Sequence, residues 1–194
     1  MKQGKVYLVG AGPGSPGLIT VKGLGCLKRA DVVIYDHLVD ESLLDYAPPA
    51  AEKIYAGKTA TRHALEQAEI NRLLVEKAKE GRVVVRLKGG DPFVLGRGGE
   101  EAVALAESGV PFSVVPGVSS ATAVPAYAGI PVTHRGLASY FTVVTGHEDV
   151  TKAESNVPWR DLAKRGGTLV VLMGVSNLSE IVMKLVDGGL PSST

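Results

Sequence analysis

Apolar and polar positions along the chain follow two alternating patterns. Short runs rich in β-branched residues, at 5–9, 31–35, 53–55, 82–87 and 112–115, predict strands. Longer amphipathic stretches lie between them. Residues 18–29 predict a helix weakened by Gly23 and Gly25. Residues 66–80 predict the clearest helix: Ile70, Leu73, Leu74 and Ala78 share one face, charged residues lie elsewhere, and Gly81 stops it. Further helices are predicted over 99–108 and from the end of the 112–115 run to the vicinity of Ala126. Strands that are Val-rich rather than alternating, each followed by a helix, predict an α/β fold: a parallel sheet with helices on both faces.

The texture changes near Pro131. Residues 140–144 and 168–172 predict strands separated by a polar stretch, 148–156. Residues 177–186 predict a helix with Leu178, Ile181, Val182 and Leu185 on one face, stopped by Gly188 and Gly189. The expected organisation is an N-terminal α/β domain over 1–117, a connecting segment over 118–134 and a second α/β domain over 135–194. No internal repeat is evident.

Charge and cysteine content narrow the function classes. Lys plus Arg is 21 and Asp plus Glu is 20, a net charge of +1, which argues against a generally basic nucleic-acid binder. No apolar run approaches the ~18 residues of a membrane span. The N-terminus runs straight into a strand-like segment, without the pattern of a signal peptide. The single cysteine, Cys26, excludes a disulfide framework within the chain and a zinc site built on several thiolates. It sits beside Leu24 and Leu27 and is expected in the core, as is Trp159 in the second domain. The four His lack ligand spacing, so no metal is expected. A reduced, cytoplasmic setting fits these features.

Glycine carries the chemistry. It accounts for 24 of 194 residues, where average usage would give about 14, and it clusters after strands. The first cluster is Gly10-Ala-Gly-Pro-Gly-Ser-Pro-Gly17. Gly12, Gly14 and Gly17 match G-x-G-x-x-G, and Asp36 ends the next strand, which alone would suggest an NAD(P)-binding oxidoreductase. Pro13 and Pro16 argue against it, because they lack the N–H groups a phosphate cradle needs. The second cluster, 88–101, holds five glycines with Lys88, Asp91 and Arg97 between them. The third is Val115-Pro-Gly-Val-Ser-Ser-Ala-Thr122. Three such loops at the carboxyl ends of parallel strands predict one pocket rim.

Several blocks occur in order: Val9-Gly-Ala-Gly-Pro-Gly14, Tyr35-Asp36, Val85-Arg-Leu-Lys-Gly-Gly-Asp-Pro-Phe93, Gly96-Arg-Gly-Gly-Glu-Glu101, Val115-Pro-Gly117 and Gly129-Ile-Pro-Val-Thr-His134. Together they resemble the tetrapyrrole methylases, from residue 5 to the end of the chain. The Arg-Leu-Lys-Gly-Gly-Asp-Pro-Phe and Ile-Pro-Val-Thr-His blocks most resemble the member that acts on uroporphyrinogen III. The resemblance implies two α/β domains with S-adenosylmethionine (SAM) in the cleft between them, usually in a homodimer. It implies transfer of two methyl groups to uroporphyrinogen III, at C2 and C7, giving precorrin-2 for sirohaem and cobalamin synthesis. By matching motif, Asp36 takes the place of the family's proton acceptor and Lys58, after Gly57, that of its proton donor. SAM contacts fall on Pro13, Gly89, Gly90, Asp91, Val94, Ser119, Ser120 and Met173. Ser15 stands where the family commonly has Asp, which leaves Asp36 as the only nearby strand-end acid. Relatives continue past residue 194 with further strands, so the second domain is expected to be incomplete at its C-terminus.

The chemistry asks for these residue types. An electron-rich pyrrole is already a nucleophile, so the protein must align the reactants, exclude water and accept one macrocycle proton. A chain of net charge +1 must meet a polycarboxylate substrate with a local cluster. Arg97, Arg62, His134 and Arg135 are the substrate-binding candidates. Arg86, between Val85 and Leu87, reads as either a substrate-end or a structural arginine. The alternatives are a methylase for a later precorrin, an NAD(P) oxidoreductase and a truncated SAM-binding module.

Overall fold

The Val-rich runs of the first half form one sheet. The computed structural model describes residues 4–57, 66–148 and 155–194. Strands β1 (Lys5–Gly10), β2 (Val32–Tyr35), β3 (Glu52–Tyr55), β4 (Val83–Lys88) and β5 (Phe112–Val115) lie in the order β3-β2-β4-β1-β5. Every pairing is parallel. All five strands therefore end at one edge, and the loops after them gather there.

Both faces of this sheet are covered, which is why its strands are apolar throughout. Val9, Val33, Val85, Leu87 and Val115 pack on one side with Cys26 and Leu27 of α1 (Val21–Leu27) and with Leu43 and Leu44. Val6, Leu8, Val32, Ile34 and Val84 pack on the other, against Ile70, Leu74 and Ala78 of α2 (Gln67–Lys79) and Leu105 of α3 (Gly98–Glu107). Ile70, Leu74 and Ala78 recur every four residues, as a buried helix stripe should.

The helix expected over 18–29 is shorter. Pro16 opens a 3-10 turn, Pro16–Leu18, and the helix proper starts only at Val21, where the Thr20 hydroxyl accepts from the Gly23 N–H at 3.0 Å. A 3-10 segment at Glu41–Tyr46, capped by Asp40, was not expected.

The chain divides into compact units at 1–119 and 120–194. The second contains α4 (Ser120–Tyr127), β6 (Phe141–Thr145), α5 (Trp159–Arg165), β7 (Thr168–Leu172) and α6 (Leu178–Asp187). Helix α4 is the helix expected to end in the vicinity of Ala126, and it lies within the segment assigned as connecting. Strands β6 and β7 pair in parallel. Trp159 and Ala163 of α5 pack with Ile181 and Leu185 of α6 over Val144, Leu169 and Val171. Leu178 and Val182, expected on the same buried face of α6, are exposed.

Candidate active site

Register sets the site. Tyr35 pairs with Leu87, Gly10 with Lys88, and Val9 with Val115. Asp36, Lys88, Ala11 and Pro116 therefore leave the sheet at one level, and the three glycine loops start beside one another.

These loops hold each other through their backbones. The Ala11 N–H donates to the Lys88 carbonyl at 2.7 Å. Gly12 and Gly90 exchange N–H to carbonyl bonds of 3.3 and 2.7 Å. The Asp91 carboxylate ties the second loop to the third: Oδ2 accepts from the Gly117 N–H at 3.0 Å and Oδ1 from the Phe93 N–H at 2.8 Å. Approach is so close at Gly117 that a Cβ there would lie 2.2 Å from the Gly90 carbonyl oxygen and 2.7 Å from the Gly10 Cα. Gly90 is different. Its φ is +66°, and nothing lies within 4 Å of where a Cβ would stand. Bare backbone with open space beside it is what a closely held small molecule needs, so the rim fits SAM.

The same contacts weaken the dinucleotide reading. The Gly12 and Ala11 N–H groups are spent on the second loop. The first loop runs into a 3-10 turn rather than the N-terminus of a long helix. The Ala11 and Gly12 donors and the long-helix dipole that a pyrophosphate cradle uses are therefore not presented.

Beside the rim lies a buried group of charges. By strand alternation Arg86 faces the same side as Val84, into the layer of α2 and α3. A guanidinium there needs partners. Its Nη2 donates to Asp36 Oδ2 at 3.0 Å, its Nε to Glu101 Oε1 at 3.0 Å, and its Nη1 to the Ile34 and Leu87 carbonyls at 3.3 and 3.2 Å. Lys88 Nζ donates to Glu101 Oε1 at 2.9 Å, and Gln67 Nε2 reaches the same oxygen at 3.4 Å. Two cations and two carboxylates balance. Burial, and then the neighbouring Arg86, hold the Lys88 ammonium below the ordinary lysine range. Asp36 Oδ1 accepts from the Leu38 N–H at 3.1 Å, so both carboxylate oxygens are engaged and the group is fixed in direction.

Of the expected site residues, the first unit gathers Asp36, Gly89, Gly90 and Asp91 around the ends of β1, β2 and β4, with Pro13 beside Gly12 on the same rim. Val94 lies on the second loop between exposed Phe93 and Leu95. Arg97 also lies there in the left-handed region, at φ 58°, but its guanidinium forms a two-point pair with Glu100, and both bonds are 2.8 Å. Ser119 closes the first unit. Ser120, Met173, His134 and Arg135 belong to the second. Met173 follows β7 at φ 57°, Ser120 begins α4, and His134 and Arg135 sit in an exposed turn closed by His134 and Ala138. Lys58 and Arg62 lie outside the described residues. Sequence reasoning missed Glu101 and Lys88 as members of the charged group. A signal existed for Glu101: it stands four residues before Leu105, on the buried stripe of α3.

Comparison with known proteins agrees with this geometry. The family model for tetrapyrrole (corrin/porphyrin) methylases matches residues 5–193. The S-adenosyl-L-methionine-dependent uroporphyrinogen III methyltransferase of Methanosarcina barkeri is 56% identical over 191 residues, 98% of this chain and 75% of the relative. The uroporphyrinogen-III C-methyltransferase of Methanocaldococcus jannaschii is 58% identical over 185 residues, 95% of this chain and 75% of the relative. The crystal structure of uroporphyrin-III C-methyl transferase from Thermus thermophilus, complexed with S-adenyl homocysteine, is similar at a TM-score of 0.78 and 49% identity, over 95% of this chain and 72% of that one. Parallel order, interlocked glycine loops and sequence matches along nearly the whole length converge: the chain belongs to the tetrapyrrole methylase family.

Proposed function

We propose that the protein is a SAM-dependent C-methyltransferase that methylates uroporphyrinogen III at C2 and C7, giving precorrin-2 for sirohaem and cobalamin synthesis. The observation that carries this reading is the interlocked glycine rim at the ends of β1, β4 and β5, with Asp36 fixed beside it. Relatives more than half identical over at least 95% of the chain support the choice of substrate. A dinucleotide-binding oxidoreductase is disfavoured because the Ala11 and Gly12 N–H groups are spent on the second loop and Pro13 and Pro16 have none.

Pro13, Gly89, Gly90, Asp91, Val94 and Ser119 are the residues of the first unit that would hold SAM. When bound, SAM supplies a sulfonium methyl group to a pyrrole carbon. The chain's own contributions are position, dryness and a proton acceptor. Asp91 acts through the backbone, because its carboxylate is already spent on the Phe93 and Gly117 N–H groups. Asp36 takes the macrocycle proton that must leave after methyl transfer to restore conjugation; the methylated carbon, already substituted, has none to give. Lys58 serves as the proton donor. Arg97 and Arg62 meet substrate carboxylates, and at Arg97 a carboxylate has to compete with Glu100. The protein works as a homodimer in the cytoplasm. No described helix is long and apolar enough to cross a membrane.

Incubation with uroporphyrinogen III and SAM tests the reading. Appearance of the precorrin-2 chromophore, with SAM binding by calorimetry and none for NAD, is expected. NAD binding without SAM binding would overturn it.

A further inference from the structure

Arg86, Lys88, Asp36 and Glu101 are all ionisable, and three of them are almost wholly buried. Such a cluster is a poor way to stabilise a fold. The desolvation penalty of buried ions offsets most of their attraction, and apolar side chains of similar volume commonly do as well or better. The surrounding positions show the alternative: Val84, Ile34, Leu74 and Leu105 fill the same layer with hydrocarbon. A gain other than stability has to be sought, and the geometry points to where.

Glu101 is fully buried and bonds Arg86 at Nε, while Asp36 bonds the same guanidinium at Nη2. One oxygen, Oε1, collects the Arg86 Nε–H, the Lys88 ammonium and the Gln67 amide. The other, Oε2, has no hydrogen-bond partner among the described residues. A carboxylate placed for stability alone would use both oxygens, since an orphaned buried acceptor costs free energy. Glu101 instead concentrates its contacts where they fix the guanidinium. The Ile34 and Leu87 carbonyls hold Nη1, which leaves Nη2 facing Asp36 Oδ2 at 3.0 Å. A guanidinium is planar, so fixing Nε and Nη1 also fixes the direction of Nη2.

We propose that Glu101 is a positioning residue for the methyl-transfer reaction: acting through Arg86, it sets the direction of the Asp36 carboxylate. The inference rests on the assignment of Asp36 as proton acceptor in the function proposed above. Glu101 is fully buried, so its route to that carboxylate is Arg86 and not contact with substrate or SAM.

The test is Glu101→Gln in the full chain, alone and with Asp36→Asn. Glutamine keeps the size and one acceptor but removes the charge that holds both cations. The expected result is unchanged SAM affinity by calorimetry and a kcat reduced about 10- to 100-fold, the usual scale for losing an outer positioning partner. The double variant should be no slower than Asp36→Asn, because both changes act on one carboxylate. Independently of activity, nitrogen-15 NMR should show distinct, slowly rotating Arg86 Nη resonances in the wild type that merge in Glu101→Gln. If Glu101→Gln does not fold, Glu101→Asp is read in the same way, since its shorter arm keeps the charge but withdraws it from Arg86. A wild-type kcat in the variant, losses that multiply with those of Asp36→Asn, or unchanged Arg86 resonances would overturn the proposal. A wild-type chain that makes no precorrin-2 removes the functional reading instead, and the Arg86 resonances then decide the positioning claim by themselves.

Discussion

Glu100 and Glu101 are neighbours in the first turn of α3, and each pairs with an arginine. The contacts are nearly equal in length, 2.8 Å for Arg97 with Glu100 and 3.0 Å for Arg86 with Glu101. The surroundings are not. Arg97 and Glu100 are 59% and 50% exposed, while Arg86 and Glu101 are 4% and 0% exposed. One residue step turns a helix side chain by about 100°, which here is the difference between water and the sheet. Distance alone therefore says little about what an ion pair does. The exposed pair trades hydration for a weak, screened attraction. The buried group gives up hydration on all sides and holds its members in single orientations.

Five predictions would break or sharpen this contrast. The largest effect belongs to Glu101→Ala, which strands two buried cations against Asp36 alone. It should cost about 3–5 kcal/mol in denaturant unfolding. By contrast, the triple variant Arg86→Met, Lys88→Met, Glu101→Leu should unfold at or above the wild-type midpoint while losing turnover. A triple variant that unfolds far below the wild type would contradict the view that the cluster is not there for stability.

Next comes the glycine rim. Gly117→Ala places a Cβ 2.2 Å from the Gly90 carbonyl oxygen. Forcing the loops apart should cost about 1–3 kcal/mol and weaken SAM binding in calorimetry. Unchanged affinity would show that the close approach does not shape the site.

Lys88 gives a signed pH dependence. Its folded-state pKa lies below the ordinary 10.5. Between those two values the unfolded chain binds the extra proton, so stability rises with pH across that window. Urea midpoints should show the rise, and Lys88→Met should remove it. Glu100 has the opposite origin: Arg97 holds its carboxyl below the ordinary 4.5. Its contribution is present above that value and is lost as pH falls through the folded-state pKa. Because the pair is exposed, Glu100→Gln should change stability by no more than about 0.5 kcal/mol, the smallest effect of the set.

The contrast also explains what could be read from the chain. Strands β1, β2 and β4 were legible because a covered parallel sheet leaves continuous runs of Val and Ile. Helix α2 was legible because Ile70, Leu74 and Ala78 repeat over three turns. Helix α5 escaped because seven residues with two buried positions, Trp159 and Ala163, carry no measurable period. The glycine loops were legible because each follows a strand. Arg86 could be seen between apolar neighbours, but its partners could not: Glu101 is 15 residues away in sequence and Asp36 is 50. Those pairings arise from the fold, which brings β2 beside β4 and packs α3 on the same face of the sheet. Arg97 looked like a site residue because glycines flank it. Those glycines also have a local reason, since a Cβ at Gly96 or Gly98 would lie 2.8 or 2.3 Å from the Pro92 carbonyl oxygen, and Arg97 itself takes a left-handed backbone; neither point argues against Arg97 as a substrate contact.

The central claim is that Asp36, held by the buried charges, accepts the proton in a methyl transfer supported by the glycine rim. Turnover of the Asp36→Asn variant with methyl-labelled SAM and uroporphyrinogen III tests it most directly. The account predicts SAM affinity equal to wild type and label transfer reduced about 100-fold or more, within the range for loss of a general base. Label transfer at the wild-type rate would contradict it.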